Sequence, residues 1–260
     1  VNKEKKGRIQ MEGFYDLHCH LLPGLDDGAE NMTETMAALK IARHEGIRTV
    51  VFTPHDSYGQ APAGSEAVRT RLEELKAGVQ AEGIMDMQFF CGNEVWYTPD
   101  SIEELHSGKV LSIARSRYVL VEFPVNVWYK KLFKAVSELV FAGYCPVLAH
   151  AERYGCLSRR IDYIEELTRA GLTFQINTDC FDSIFPEADG RWYRTLVKEG
   201  YIHLIATDAH DCKKRPPEMA RAVKWIKKHC DRELAYKILY SNPERILMDR
   251  TQDRDTKWRK

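Results

Sequence analysis

The sequence predicts an α/β fold, a distorted TIM-like β/α barrel whose parallel strands lie inside a ring of helices. Three observations carry this expectation. Seven short runs rich in β-branched or aromatic residues alternate with amphipathic stretches along the whole chain. Most of the amphipathic stretches stop at a glycine, the residue that takes a left-handed helix end at least cost. Side chains able to hold a metal fall just after the β runs, where a parallel barrel gathers its loops on one face. Strict alternation demands right-handed crossovers, and seven or eight units in 260 residues suit closure better than an open sheet.

The first run, Phe14 to His18, leads to a helix capped at Thr33, with Glu34 favouring its positive end. That helix turns Met36, Leu39 and Ala42 inward and ends at Gly46. Arg48 to Thr53 is the second strand, and a long helix follows from Ser65 to Gly83, with Glu73 and Glu74 near Lys76. The third strand runs from Met87 to Glu94 and the fourth from Tyr118 to Phe123. A helix from Val127 to Gly143 leads to the fifth strand, Pro146 to Ala149, and one from Ser158 to Gly171 to the sixth, Leu172 to Asn177. Ile202 to Thr207 is the seventh strand. From Pro216 to Met248 the pattern is more helical, with Pro243 in the first turn of a last short helix. A single domain is expected over residues 13–250, between a flexible extension at 1–12 and a tail at 251–260. The Gly/Pro/Ala-rich stretch from Ser57 to Gly64 is the expected mobile loop.

Acidic and basic side chains balance at 38 each, so the chain lacks the bulk positive field with which non-specific nucleic-acid binders release counterions. No apolar run approaches the roughly 20 residues that cross a bilayer, and the charged start from Val1 to Gln10 has no signal-like core. Seven scattered cysteines without a Cys-x-x-Cys spacing read as reduced thiols, which places the chain in the cytoplasm.

The chemistry concentrates at the strand ends. His18 and His20 close the first strand, His55 follows the second, and Glu94 ends the third. Glu122 ends the fourth, His150 the fifth, and Asp208 with His210 the seventh. Side chains alternate across a strand, so both imidazoles of His18-Cys19-His20 point one way and Cys19 the other. Asp208-Ala209-His210 repeats the device, whereas His44, His106, His203 and His229 read as surface or core residues. A buried carboxylate is costly unless paired or metal-bound, which gives Glu94 and Glu122 a reason to be there. Eight or nine ligands exceed the four that one zinc-like ion takes, so two or three divalent ions are expected. Imidazole and carboxylate without thiolate suit manganese, iron or zinc alike.

The segments Asp16-Leu17-His18-Cys19-His20, Leu22-Pro23-Gly24-Leu25-Asp26-Asp27-Gly28 and Thr53-Pro54-His55 closely resemble the polymerase-and-histidinol-phosphatase (PHP) superfamily. Within it, Gly92-Asn93-Glu94-Val95, Val121-Glu122-Phe123-Pro124, Ala149-His150-Ala151-Glu152-Arg153-Tyr154 and Thr207-Asp208-Ala209-His210 resemble the bacterial capsule and exopolysaccharide tyrosine-protein phosphatases. The likeness runs from about Phe14 to Met248 and implies a distorted seven-stranded β/α barrel with three metal positions. It assigns one to His18, His20, Glu94 and Asp208, a second to Glu94, Glu122 and His150, and a third to Asp27, His55 and His210, with Glu94 bridging. By residue type alone Asp26-Asp27-Gly28 reads as a solvated turn, so Asp27 is a ligand only through the resemblance. Ala151, where proline is common, and Asp56, where a second histidine or a basic residue is frequent, depart from the pattern.

The resemblance implies a metal-dependent phosphoric monoester hydrolase acting on phosphotyrosine, with manganese favoured and a bacterial tyrosine kinase of capsule or exopolysaccharide assembly as partner. Divalent ions present hydroxide near neutral pH and stabilise the phosphoryl oxygens. No cysteine has an arginine six positions on, as a thiol-based tyrosine phosphatase requires. With Asp208 and His210 at the reacting centre, Arg153 and Arg215 are the candidate phosphate contacts, since arginine offers a planar fork to a dianion. Tyr97, Trp128, Tyr129 and Tyr154 are candidates to flank the substrate ring, or simply to pack the rim. Three rival readings follow from the same residues. One is a small-molecule phosphoesterase such as histidinol-phosphate phosphatase, and another a non-catalytic metal-stabilised regulatory domain. The third is a TatD- or amidohydrolase-like metallohydrolase, which would carry a histidine where this chain has Asn177-Thr178-Asp179.

Overall fold

The structure is a computed structural model that describes residues 13–56, 64–182 and 187–249. The extension expected at 1–12, the tail at 251–260 and nearly all of the loop at 57–64 lie outside those residues.

Strand β1 (Phe14–Cys19) pairs in parallel with β2 (Ile47–Phe52), and β2 with β3 (Gln88–Cys91). Helices α1 (Met32–His44) and α2 (Ser65–Ala81) make the two crossovers. A second parallel sheet takes β4 (Glu94–Trp96), β5 (Tyr118–Glu122), β6 (Cys145–Leu148), β7 (Thr173–Asn177) and β8 (Leu204–Ala206) in that order. Between its strands run α3 (Ser101–Ser107), α4 (Tyr129–Phe141), α5 (Ile161–Arg169) and α6 (Glu187–Lys198). The chain finishes in α7 (Ala220–His229), α8 (Arg232–Tyr236), a π-helical stretch at Lys237–Ser241 and α9 (Asn242–Met248), with Pro243 in the first turn as its fixed φ favours.

Two apolar clusters hold these layers together. The larger lies between strands and helices and includes Leu39, Phe52, Leu132 and Phe174. The smaller draws Tyr15, Leu17, Val51, Leu120, Val147 and Leu204 from strands of both sheets, with Ile246 and Leu247 of α9 packed onto it. Each such large side chain contributes roughly 1.5–3 kcal/mol on burial. Because both strand faces are covered, polar side chains inside the strands need partners of their own.

The structure corrects several expected boundaries. The third run is two strands: β3 stops at Cys91 and Glu94 opens β4 instead of closing β3. Gly92 and Asn93 cause the break. A Cβ on Gly92 would stand 3.1 Å from the Ile113 backbone, closer than such contacts normally come, so a larger residue there would push the two segments apart by a few tenths of an ångström. Asn93 then takes over ladder bonds with its side chain, Nδ2 donating to Pro54 O and Oδ1 accepting from Leu111 N, both at 2.9 Å. The cap of α1 is Asn31 and not Thr33, its Oδ1 accepting from Glu34 N at 3.0 Å. Helices α4 and α5 start later than expected, and α3 and α6 occupy segments where the apolar periodicity gave no helix. At the strand ends the sheets meet through single parallel bridges, His55↔Glu94 on one side and Cys19↔Ala209 on the other. No helix among the described residues is long and apolar enough to cross a membrane.

Candidate metal centre

All nine residues singled out as ligands come together on one face, most of them just past C-terminal strand ends, with Glu94 at the start of β4 and Asp27 in the loop after β1. His18 and His20 project from the end of β1 with their Nε2 atoms 3.3 Å apart, while Cys19 turns its Sγ toward Val51 O, as alternation requires. Glu94 Oε2 lies 3.3 Å from His18 Nε2 and 3.2 Å from His20 Nε2, and Asp208 Oδ1 lies 3.4 Å from each. Glu94 continues outward, its Oε1 2.8 Å from His150 Nε2 and its Oε2 3.2 Å from His55 Nδ1. Glu122 Oε1 stands 3.3 Å from His150 Nε2. Asp27 Oδ1 completes the set, 3.5 Å from His55 Nε2 and 3.6 Å from His210 Nε2.

Local backbone geometry aims these groups. His150 and Asp208 both adopt left-handed φ, at 32° and 52°, each two residues past the end of its strand, β6 and β8 respectively. Such conformations cost roughly 1–3 kcal/mol in a residue with a Cβ and persist where packing imposes them, often at functional sites. Gly28 lets the Asp26–Asp27 turn lie on β1, since a Cβ there would fall 1.8 Å from His20 O.

The donor set fits divalent cations. Gln175 Oε1 accepts from His150 N at 2.9 Å and faces His18 Nδ1 at 3.0 Å, so that ring nitrogen is the donor. His20 Nδ1 likewise faces Asp26 Oδ2 at 2.6 Å. The Nε2 lone pairs of both rings are thereby turned toward each other and toward two carboxylate oxygens. Acceptors crowding acceptors in a buried pit require positive charge between them. Four ligands about 2.1 Å from a tetrahedral ion sit about 3.4 Å from one another, which matches the spacing here.

Protons on the imidazoles are the alternative source of that positive charge. Burial pushes the carboxyls of Glu94 and Asp208 up, but the neighbouring imidazoles, His18 foremost, overcome it and hold both well below the ordinary carboxylate range. Burial pushes His20 down, and its hydrogen bonds to Asp208, Asp26 and Glu94 reverse that, leaving it well above an ordinary imidazole. His210 goes the other way. Burial and then the charge of His20 depress it to about 4, which keeps its ring neutral. Ligand atoms fall into groups of His20, Asp27, His55 and His210, of His18, His20 and Asp208, and of His55, Glu94 and Glu122. His20 and His55 each reach two groups, a sharing that the assignment by resemblance did not contain.

Arg153 and Arg215 converge on a single atom, Asp208 Oδ2, at 2.7 and 2.8 Å. Both guanidinium groups remain partly exposed beside a cleft of about 470 Å³. Trp96, Phe123, Pro124 and Val125 line the cleft together with the two arginines. Three of the four candidate aromatics serve packing. Tyr97 bonds Glu138 at 2.9 Å, Tyr154 is buried with its hydroxyl oxygen accepting from Phe123 N, and Tyr129 stacks on Tyr163 with centroids 3.6 Å apart. Trp128 alone among them is 77% exposed.

Four supporting residues escaped the sequence reading. Asp26 holds His20 and also accepts from the backbone N–H of His55 and Gly28. Gln175 Nε2 donates to Asn177 Oδ1, and Asn177 Nδ2 donates to Asp208 Oδ2, so β7 supplies positioning groups in place of ligands. Asp16 accepts from Thr207 N and Oγ1, fixing the turn that carries Asp208, and burial raises its carboxyl to about 6. A signal was present: Asp16-x-His18-x-His20 and Gln175-x-Asn177 repeat one polar spacing of two inside otherwise apolar strands.

Comparison with known proteins follows the same residues. Positions 14–248 match the family described as capsular polysaccharide synthesis, CpsB/CapC. The tyrosine-protein phosphatase CpsB of Streptococcus pneumoniae is 29% identical over 241 residues, covering 90% of this chain and 98% of that protein. The tyrosine-protein phosphatase YwqE of Bacillus subtilis is 30% identical over 236 residues, covering 91% of this chain and 92% of that one. A solved chain from the crystal structures of YwqE and CpsB, described as unique metal-dependent tyrosine phosphatases, matches with a TM-score of 0.84 at 29% identity. That match covers 92% of this chain and 96% of the other.

Proposed function

The chain belongs to the CpsB/CapC family of capsular polysaccharide synthesis, and from that premise we propose that it is a metal-dependent tyrosine-protein phosphatase. One observation carries the reading: a buried cage of imidazoles and carboxylates opens on a cleft beside two arginines held by Asp208. A phosphate monoester needs both halves, a site for cations and a cationic fork for its outer oxygens.

His18, His20, Glu94, Asp208, His150, Glu122, Asp27, His55 and His210 would hold two or three divalent ions, with manganese the preferred ion in this reading. When bound, such ions acidify water to a nucleophile near neutral pH and neutralise charge on the phosphoryl oxygens. The chain's own part is positional. Gln175 and Asp26 fix which nitrogen of His18 and His20 faces the cage. Asp208 Oδ2 gathers Arg153 and Arg215 to one side of the cleft, where their free N–H groups meet the substrate's oxygens. His210 Nδ1 donates to Asp208 O at 2.9 Å, so the Nε2 lone pair is the one available to the cage.

The wider reading extends from there. The phosphoprotein is proposed to be a tyrosine kinase acting in capsule or exopolysaccharide assembly, met in the cytoplasm, and residues 13–250 to be one domain. The bridges Cys19↔Ala209 and His55↔Glu94 support a distorted barrel with its two seams at the metal centre. The test measures metal content and hydrolysis of a phosphotyrosine peptide and of histidinol phosphate, before and after chelation and manganese addition. Full activity in the stripped protein, or turnover of histidinol phosphate alone, would sink the proposal.

A further inference from the structure

The two walls of the cleft differ in kind. One carries Arg153 and Arg215, whose partner is Asp208. The other is the short connection between β5 and α4, from Phe123 to Trp128, which is apolar apart from Asn126 and holds none of the candidate ligands. Its backbone is tied down. Phe123 N donates to Tyr154 Oη at 3.1 Å, Val127 N closes a turn onto Pro124 O at 2.8 Å, and Gly155 N donates to Val125 O at 3.3 Å. Val127 is buried beneath the turn, so the turn presents Val125 and Trp128 outward, 55% and 77% exposed. A pinned loop that holds a valine and a tryptophan in water keeps apolar area exposed that folding normally covers. Neither residue is required by the cage, and Trp128 makes no side-chain cap bond to α4.

We propose that Val125 and Trp128 form the surface that selects a protein substrate, receiving the apolar side chain next to the phosphotyrosine. The inference rests on the phosphatase reading and adds the partner's chemistry. Three facts favour this occupant over a small ester. Val125 lines the same cleft as the arginines, so one apolar side chain of this wall reaches the phosphate end. Trp128 lies three residues further along the same pinned connection, on its exposed side. Tyr97, Tyr129 and Tyr154 are already engaged in packing and hydrogen bonds, which leaves Trp128 as the large aromatic with its surface available among those four. Tryptophan is also the side chain over-represented among the residues that dominate protein recognition.

The test compares kcat/KM for a phosphotyrosine peptide with an adjacent leucine and for p-nitrophenyl phosphate, in the metal-loaded wild type, Trp128→Ala, Trp128→Phe and Val125→Ser. Trp128→Ala is expected to lower the ratio of peptide to small ester by about tenfold, mostly through KM, a change of about 1.4 kcal/mol. Val125→Ser should lower it less, and Trp128→Phe should recover most of it. A ratio within about twofold of wild type in both Trp128→Ala and Val125→Ser overturns the proposal, as does an equal fall on both substrates. Wild type that turns over the small ester but not the peptide would instead overturn the phosphotyrosine reading and this proposal with it.

Discussion

The candidate metal cage has an inner and an outer half, built from the same residue types under different constraints. Inside, His18, His20, Glu94 and Asp208 are at most 2% exposed, and every one is held by a second group: Gln175, Asp26, His150 or Asn177. Outside, Asp27 is 56% exposed and Glu122 is partly open. Burial makes each inner charge expensive, so the inner half is organised before any ion arrives. The outer half reaches water, where charges are screened and ligands exchange easily. An ion held inside should therefore bind tightly and one held outside loosely.

The largest expected effect tests the inner half. Glu94→Gln or Asp208→Asn should lower kcat/KM on the order of 10³-fold while leaving circular dichroism unchanged, because each removes a charge that organises the reacting centre. Activity retained within tenfold would break the distinction. Next comes the support behind the ligands. Gln175→Leu should weaken inner-ion affinity roughly 10–100-fold, read by competition with a chelator, since His18 loses the acceptor that fixes its tautomer. Asp27→Asn should cost about tenfold in activity and regain it at higher metal concentration, whereas Glu94→Gln should not be rescued.

The smallest effect concerns a histidine outside the cage. His203 accepts from Phe174 N, and burial, with the charge of Arg245 nearby, lowers it from 6.5 to about 4. The unfolded chain then binds the extra proton first. The contribution of His203 to stability is complete above about 6.5 and is lost as pH falls toward 4. His203→Gln should flatten the stability profile in that window, measured by urea midpoints. A profile identical to wild type would show that burial alone does not set imidazole charge in this fold.

Contrasting His203 with His20 shows why the site was only partly legible in the sequence. Both are histidines near strands, and spacing separates them: His20 belongs to an alternating pair at a strand end and lies among carboxylates, and His203 does neither. The same spacing marked Asp208 with His210. It did not mark Asp26, whose Asp-Asp-Gly surroundings are those of any solvated turn until Gly28 lets the turn lie on β1. Gln175 and Asn177 were overlooked because neutral amides carry no metal signature, although their alternation repeats that of His18 and His20.

Sequence by itself pointed to the alternating parallel architecture, to eight of the nine candidate ligands and to the two candidate arginines, because period and strand-end position are local properties of the chain, whereas Asp27 entered only through the resemblance. Tertiary structure alone decided that Glu94 opens a strand after Gly92 meets the Ile113 backbone, and that one oxygen of Asp208 gathers two arginines and an asparagine. It also decided which aromatic stays exposed. Those outcomes depend on steric exclusion and hydrogen bonds between segments far apart in sequence, which no local pattern encodes.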